Sequence, residues 1–290
     1  MPELPEVETV RIGLDNLIRG KKIASVTKDT AKSFPNTESD VSRFLIGASI
    51  VSIKRRAKLL IIGLSSNYSL VIHLKMTGQL VYKSHDQHFG AGHPSPSLVG
   101  QLPDKSTRVV FGFSDGSTLF FNDQRKFGWI RLLLSSEVVN IDFFKKVGPE
   151  PLAADFNWQL FRDRLKRRPK SAIKAVLLDQ TVIAGIGNIY ADESLWAAKI
   201  HPSQRVANLS PQAIRRLFDE IVAVLKMAIA KGGSTDRNYV NAEGKRGNYL
   251  DFAQVFRREG QLCLRCGKPI IKIRVAGRGT HICPACQRLR

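Results

Sequence analysis

Apolar positions at the start of the chain recur with a helical period, with Val7, Val10, Leu14, Leu17 and Ile18 on one face. The spacing predicts a helix over 4–19. Pro5 suits its first turn, Glu6 and Glu8 complement the positive end of its dipole, and Gly20 can stop it. From about 22 to 134 the pattern becomes that of strands. Ile50 to Ile53, Leu59 to Leu64 and Leu70 to Leu74 are short apolar or alternating runs, and Arg108 to Phe113 and Ser117 to Phe121 flank Ser114-Asp115-Gly116 as a hairpin. His85 to Asp104, rich in Gly, Pro and Ser, reads as a surface loop. After Glu137 the period lengthens again, predicting helices near 138–146, 155–167, 172–179, 188–198 and 211–230. A polar, glycine-containing stretch from Gly232 to Asn248 reads as a long mobile loop.

A length of 290 residues suits two folded domains with a small appendage, and 43% hydrophobic with 24% charged residues is an ordinary globular balance. The charge changes the picture. Forty-five Lys plus Arg against twenty-five Asp plus Glu leave +20 and a pI near 10.1. Such an excess points to a polyanionic partner held through phosphate contacts. A ribosomal protein would share this balance, whereas a membrane-surface protein would need a basic amphipathic helix that the pattern lacks. The first residues carry Glu3, Glu6 and Glu8 rather than a basic region before an apolar run, so no export signal is read there. Leu59 to Leu74 is interrupted by Ser65, Ser66, Asn67 and Ser69, which argues against a transmembrane helix. A soluble cytoplasmic protein is expected.

All four cysteines fall in the last 28 residues as Cys263-x2-Cys266, sixteen residues, then Cys283-x2-Cys286. Two such knuckles predict a tetrahedral four-cysteine zinc site around a β-hairpin too small to fold without its metal. Redox CxxC motifs are the alternative, and their pairing in a basic tail disfavours it. Arg257 to Arg290 holds nine Lys or Arg and a single acid, Glu259, so the hairpin reads as a nucleic-acid finger. His85, His88 and His93 could bind metal in principle, but no cysteine accompanies them and solvation is the simpler reading.

Ala184-Gly185-Ile186-Gly187-Asn188 joins two predicted helices through glycines, and its amides with Asn188 could bind phosphate at the second helix's start. A plain helical hairpin would look the same; the seven basic residues between Arg162 and Lys174 favour the first reading. Met1-Pro2 permits removal of the initiator methionine, exposing a secondary amine. An α-amine titrates at about 7.7–8.0, so it can act as a nucleophile near neutrality. Glu3 could move protons and Glu6 could face a substrate. From these residues alone a helix cap is the preferred reading.

Pro2-Glu-Leu-Pro-Glu-Val-Glu-Thr9 resembles the opening of the formamidopyrimidine-DNA glycosylases. Arg55-Arg-Ala-Lys58, His73-Leu-Lys-Met-Thr-Gly78, Gly148-Pro-Glu-Pro-Leu152, Gly185-Ile-Gly-Asn-Ile-Tyr-Ala-Asp-Glu-Ser194 and Ala276-Gly-Arg-Gly-Thr-His281 resemble further motifs in family order, across essentially the whole chain. The resemblance implies an α+β multidomain fold. An N-terminal β-sandwich with flanking helices (1–134) would precede a helix-two-turn-helix domain (135–250) and a zinc β-hairpin (251–290). It implies Pro2 as nucleophile, Glu3 as proton-transferring acid, Lys58 as catalytic lysine and Arg278 as a phosphate grip that assists strand cleavage. Glu6, His73, Asn188 and Lys272 would contact DNA or lesion. Met76, Arg125 and Phe127 would fill the void left by a flipped nucleotide, although in another context Met76 and Phe127 would read as core and Arg125 as a surface charge. Cys263, Cys266, Cys283 and Cys286 would hold one structural Zn2+.

The implied activity is base-excision repair of 8-oxoguanine and formamidopyrimidines, with β,δ-elimination at the abasic site. The implied setting is a monomer on double-stranded DNA, in a bacterial cytoplasm at the nucleoid. An endonuclease VIII-like enzyme for oxidised pyrimidines ranks second, and a non-catalytic binder of damaged DNA is the reading of another class. Four features depart from the family pattern. Lys75 stands where many members have glycine, Lys126 replaces an arginine, Phe256-Arg257 replaces Tyr-Gly, and the 85–104 loop is long.

Overall fold

The computed structural model describes residues 2–93, 95–234 and 249–289. The chain divides into two compact units, one running through Lys145 with residues 231–234, the other spanning Lys146–Ala230 and resuming at Tyr249.

The first unit opens with α1 (Leu4–Ile18), then β1 (Ile23–Lys28) and a short helix α2 (Glu38–Asp40) that runs into a π-type turn. Strands β2 (Ile50–Arg56), β3 (Leu59–Leu64), β4 (Tyr68–His73), β5 (Gly78–Lys83), β6 (His88–Gly92), β7 (Thr107–Phe113), β8 (Thr118–Asp123) and β9 (Trp129–Leu134) follow. They form two antiparallel sheets, ordered β1-β7-β8-β5-β6 and β2-β3-β4-β9. Leu60, Ile62, Leu70 and Ile72 of one sheet share a core with Leu80, Val109, Phe111 and Phe121 of the other, closed by Val7, Val10 and Leu14 of α1. This is the β-sandwich with flanking helix that was expected.

The unbroken run Leu59–Leu64 has a physical reason: both faces of β3 are covered. Leu59 and Val71 point away from the sandwich into a second cluster with Val138, Trp129, Phe143 and Phe144. A strand buried on both sides need not alternate. That cover corrects the helix expected at 138–146. Residues Ser135–Asn140 form a 3-10 turn, and α3 (Asp142–Lys146) begins only after Ile141.

The reading of 85–104 as a surface loop is also corrected. His88–Gly92 forms β6 and pairs with β5, while Leu98 seals Val81 and Phe120 on the outer face of the five-stranded sheet. Phe89 turns inward against α1, where a Cβ on Gly13 would lie 2.2 Å from its ring, so the helix needs glycine there. The three histidines do not assemble. His85 pairs with exposed Asp86, His88 bonds the Leu98 carbonyl at 2.6 Å, and His93 donates its backbone N–H to the Gly78 carbonyl.

The second unit contains α4 (Trp158–Lys166), α5 (Ile173–Leu178), α6 (Asn188–Ala197) and α7 (Pro211–Ala230), followed by the hairpin β10 (Ile271–Val275) and β11 (Arg278–Ile282). The amphipathic α7 lays Ile214, Leu217, Ile221 and Leu225 against Tyr190 and Leu195 of α6. Every residue of α6 from Tyr190 to Trp196 is buried, including Asp192 and Glu193. No described helix is long and apolar enough to cross a membrane.

Candidate active site and zinc hairpin

The opening motif Pro2-Glu-Leu-Pro-Glu places its carboxylates at the head of α1. Pro2, Glu3 and Glu6 are all buried. The N–H of Glu3 donates to Glu6 Oε2 at 2.7 Å, and the N–H of Ser234 donates to Glu6 Oε1 at 2.7 Å. Glu6 thus bonds the main chain on both oxygens, tying the N-terminal segment to the segment after α7. Glu8, two residues further on, fixes α1 to the sheet by accepting Arg55 Nε at 2.7 Å while Arg11 takes its other oxygen. Arg55 also donates to the Ala57 carbonyl, shaping the turn that carries Lys58 inward.

Lys58 is buried, and burial pushes its ammonium below the ordinary lysine range, with the charges of Glu3 and Glu6 offsetting only part of that cost. The structure therefore brings Glu3, Glu6 and Lys58 into one electrostatic neighbourhood. His73, at the end of β4, is pushed down to about 3 by burial, then by Lys75 and Lys58. Its Nδ1 accepts the Lys75 N–H at 3.1 Å, so the neutral ring carries its proton on Nε2 as a donor.

Met76, Arg125 and Phe127 meet at the end of the sandwich. Arg125 Nη1 lies 3.3 Å from Met76 Sδ, and its guanidinium sits 4.9 Å from the Phe127 ring centre. Met76 is 40% and Phe127 45% exposed, so neither belongs to the core.

In the second unit, Gln180 clamps the turn before α6. Its side chain donates to the Leu178 and Ile186 carbonyls and accepts the Gly185 N–H at 2.9 Å. The Gly148-Pro149 motif braces the same turn, through Gly148 N–H to Gln180 O and Ala184 N–H to Pro149 O. Asn188 occupies the first position of α6, and its Nδ2 donates to the Gly279 carbonyl on the hairpin at 3.0 Å. Ala276 and Gly277 both hold positive φ, 49° and 73°, as a two-residue hairpin turn of this hand requires, and the turn presents exposed Arg278. Lys272, also exposed, stands opposite His281 across the hairpin.

The four cysteine sulfurs lie within 4.8 Å of one another, and Cys266 and Cys283 are 3.4 Å apart. A tetrahedral zinc with bonds of about 2.3 Å needs sulfurs about 3.8 Å apart, so the set fits one zinc ion. A zinc ion held by Cys263, Cys266, Cys283 and Cys286 would cross-link the two knuckles in a structural role. Around it, Arg265 donates to the Trp196 carbonyl at 2.9 Å and stacks on the Trp196 ring, while Gln287 donates to the Ile200 carbonyl.

Several residues in the frame were missed by the sequence reading. Lys174 and Asp192, both with no exposure, pair at 2.6 Å. Lys174 also donates to Thr280 Oγ1 at 2.7 Å, and Asp192 accepts the His281 N–H at 2.9 Å. Glu193 accepts backbone N–H groups from Gln254, Val255 and Phe256. Two adjacent acids flanked by Ile189, Tyr190, Ala191, Leu195 and Trp196 were the available signal, since buried carboxylates are nearly always paired. The expected cap over a flipped base, within 232–248, lies outside the described residues from 235 onward.

The departures have a backbone logic. Lys75 sits at φ 50° and Arg257 at φ 59°, the left-handed region where glycine is at ease. Lys126, at φ 56°, shares it.

Comparison with known proteins agrees over the whole chain. Residues 1–130 match the Formamidopyrimidine-DNA glycosylase N-terminal domain, 147–239 the Formamidopyrimidine-DNA glycosylase H2TH domain, and 260–289 the zinc finger found in FPG and IleRS. A formamidopyrimidine-DNA glycosylase of Streptococcus mutans is 43% identical over 289 residues, 99% of this chain and 100% of the relative. One from Streptococcus pneumoniae is 43% identical over 290 residues, 99% of each. Among solved structures, Lactococcus lactis Fpg in complex with abasic-site DNA superposes with a TM-score of 0.87 at 38% identity, covering 99% of both chains. A mutant of that protein bound to Fapy-dG-containing DNA gives the same score and identity, covering 99% of this chain and 100% of that one. With its sandwich, its braced two-turn helix pair and its four-cysteine hairpin, this chain belongs to the formamidopyrimidine-DNA glycosylase family.

Proposed function

We propose that the protein excises oxidised purines, 8-oxoguanine and formamidopyrimidines, from double-stranded DNA and then cleaves the strand at the resulting abasic site. The observation that carries the reading is the buried cluster at the head of α1. There Pro2 precedes Glu3, and Glu3 acts on a lysine whose ammonium is destabilised by burial.

Once Met1 is removed, the Pro2 nitrogen is a secondary amine able to attack C1′ of the flipped nucleotide. The N-glycosidic bond breaks and the base leaves. The Pro2 nitrogen gives up its proton, the C1′–O4′ bond opens as O4′ takes a proton that Glu3 can supply, and C1′ ends as an iminium bonded to Pro2 in an opened sugar. Loss of a C2′ proton then expels the 3′ phosphate, and a second elimination expels the 5′ phosphate. Lys58, with its lowered proton affinity, suits proton transfer in these steps. His73 can donate Nε2–H to a phosphate without adding charge, while Asn188, Lys272 and Arg278 supply further phosphate contacts. Glu6 holds the segment beside the nucleotide. Opening the stack costs a few kcal/mol, which insertion of Met76, Arg125 and Phe127 would offset. The setting proposed is a monomer acting in a bacterial cytoplasm.

Borohydride reduction during reaction with an 8-oxoguanine:cytosine duplex should trap a covalent adduct at Pro2, located by mass spectrometry. Protein retaining Met1 should bind the same DNA without cutting it. Absence of an adduct from correctly processed protein would favour a non-catalytic damage binder. A clear preference for thymine glycol would move the enzyme to the oxidised-pyrimidine branch.

A further inference from the structure

Beside the exposed Met76, Arg125 and Phe127 lies a carboxylate that no step above uses. Asp123 ends β8 with no solvent exposure. Its Oδ1 accepts the Thr77 hydroxyl and the Arg125 N–H, the latter at 3.2 Å. Its Oδ2 accepts the N–H groups of Phe127 at 2.8 Å and Gly128 at 2.6 Å. Thr77 Oγ1 in turn accepts the Arg125 N–H at 3.0 Å. The rest of Asp123 is anchored as well, its carbonyl by Arg108 Nε at 2.9 Å and its N–H by the Ser106 carbonyl at 2.7 Å.

A carboxylate is an acceptor only, and here its oxygens are matched by donors from two separate loops. One loop, Leu74–Thr77, carries Met76; the other, Gln124–Gly128, carries Arg125 and Phe127. Each loop contains a lysine in the left-handed region, Lys75 or Lys126, a conformation that persists only where surrounding bonds hold it. We infer that Asp123 and Thr77 are positioning residues that lock these two loops into one preformed wedge. The three side chains then enter the DNA stack together, without each being ordered during insertion. This rests on the proposed base-flipping reaction.

The test uses full-length, zinc-loaded protein and two substrates: a duplex with 8-oxoguanine opposite cytosine, and a single strand carrying an abasic site, where no stack must be opened. Asp123→Asn should slow single-turnover excision from the duplex about tenfold to a hundredfold, because it presents a donor to N–H groups that need an acceptor. Cleavage of the single strand should be unchanged. A fluorescent purine analogue beside the lesion should lose its insertion signal. Thr77→Val should show the same split with a smaller loss, and Thr77→Ser, which keeps the hydroxyl, should recover most of it. If Asp123→Asn does not fold, the Thr77 pair carries the same comparison. Equal losses on both substrates, or no loss on either, overturn the inference. Wild-type protein inactive on both substrates would instead sink the functional reading.

Discussion

Two buried lysines, one in each unit, have opposite surroundings. Lys174 meets Asp192 at 2.6 Å and Thr280 at 2.7 Å, and Asp192 spends its second oxygen on the His281 amide. Charge and hydrogen-bonding capacity are matched, and the outcome is a rigid joint between α5, α6 and the hairpin. Around Lys58 the cost of burial exceeds the attraction of Glu3 and Glu6, so the proton is held less tightly than in water. The same side chain keeps a strong ion pair in one setting, and in the other its ammonium is disfavoured by desolvation. Perturbed titration in a cluster of acids marks chemistry, and a saturated ion pair marks architecture.

Metal removal should break the second unit most severely. Binding of a structural zinc contributes roughly 10–16 kcal/mol to folding of such modules. Chelation or Cys266→Ser should therefore abolish DNA binding in a mobility-shift assay while the near-ultraviolet signal of the sandwich persists. Tight binding without metal would contradict the role given to the hairpin. Next in size, Lys174→Met leaves Asp192 buried and uncompensated and should cost about 3–5 kcal/mol in denaturant unfolding. Lys58→Met should cost less stability than Lys174→Met, because removing the lysine also removes its desolvation cost, while slowing strand cleavage. Equal destabilisation by the two substitutions would erase the distinction between them.

His73 provides a pH test within the first unit. Its native pKa of about 3 lies below the unfolded value of 6.5, so the unfolded chain binds more protons between those limits. Stability from its burial is complete above pH 6.5 and declines as pH falls, by about 3 kcal/mol at pH 4. His73→Gln should flatten that acid limb, and an unchanged limb would argue against a buried neutral imidazole. The smallest effect concerns the end of α6. Lys199 holds φ 57° just past the helix, with its N–H on Trp196 O and that of Ile200 on Leu195 O. This is the position where glycine caps best, so Lys199→Gly should stabilise by about 1 kcal/mol and raise the Tm by a few degrees.

Much of this was legible from local pattern. The α1 periodicity, the paired CxxC knuckles and the Ser114-Asp115-Gly116 hairpin each involve residues near one another along the chain, and local spacing specifies them. The 85–104 segment was misread because its glycines and prolines resemble a solvated loop. Its burial depends on Val81 and Phe120, outward-facing residues on strands elsewhere that need a cover. The helix expected at 138–146 gave way for the same reason, since Val138, Phe143 and Phe144 are placed to cover β3 and β4.

At the site the division is similar. Sequence by itself determined the chemical inventory: Pro2 followed by acids, a lysine after Arg55-Arg56-Ala57, four cysteines and a strong positive charge. Only the tertiary structure decided how strongly each buried charge is desolvated and what faces it. Lys58 and Lys174 look alike as letters, and nothing in their neighbours along the chain separates a lowered ammonium from a saturated ion pair. That difference arises from desolvation and from partners brought from distant positions, Asp192 and Thr280 for one, Glu3 and Glu6 for the other. Solvent exclusion and long-range contact exist only once the chain has folded.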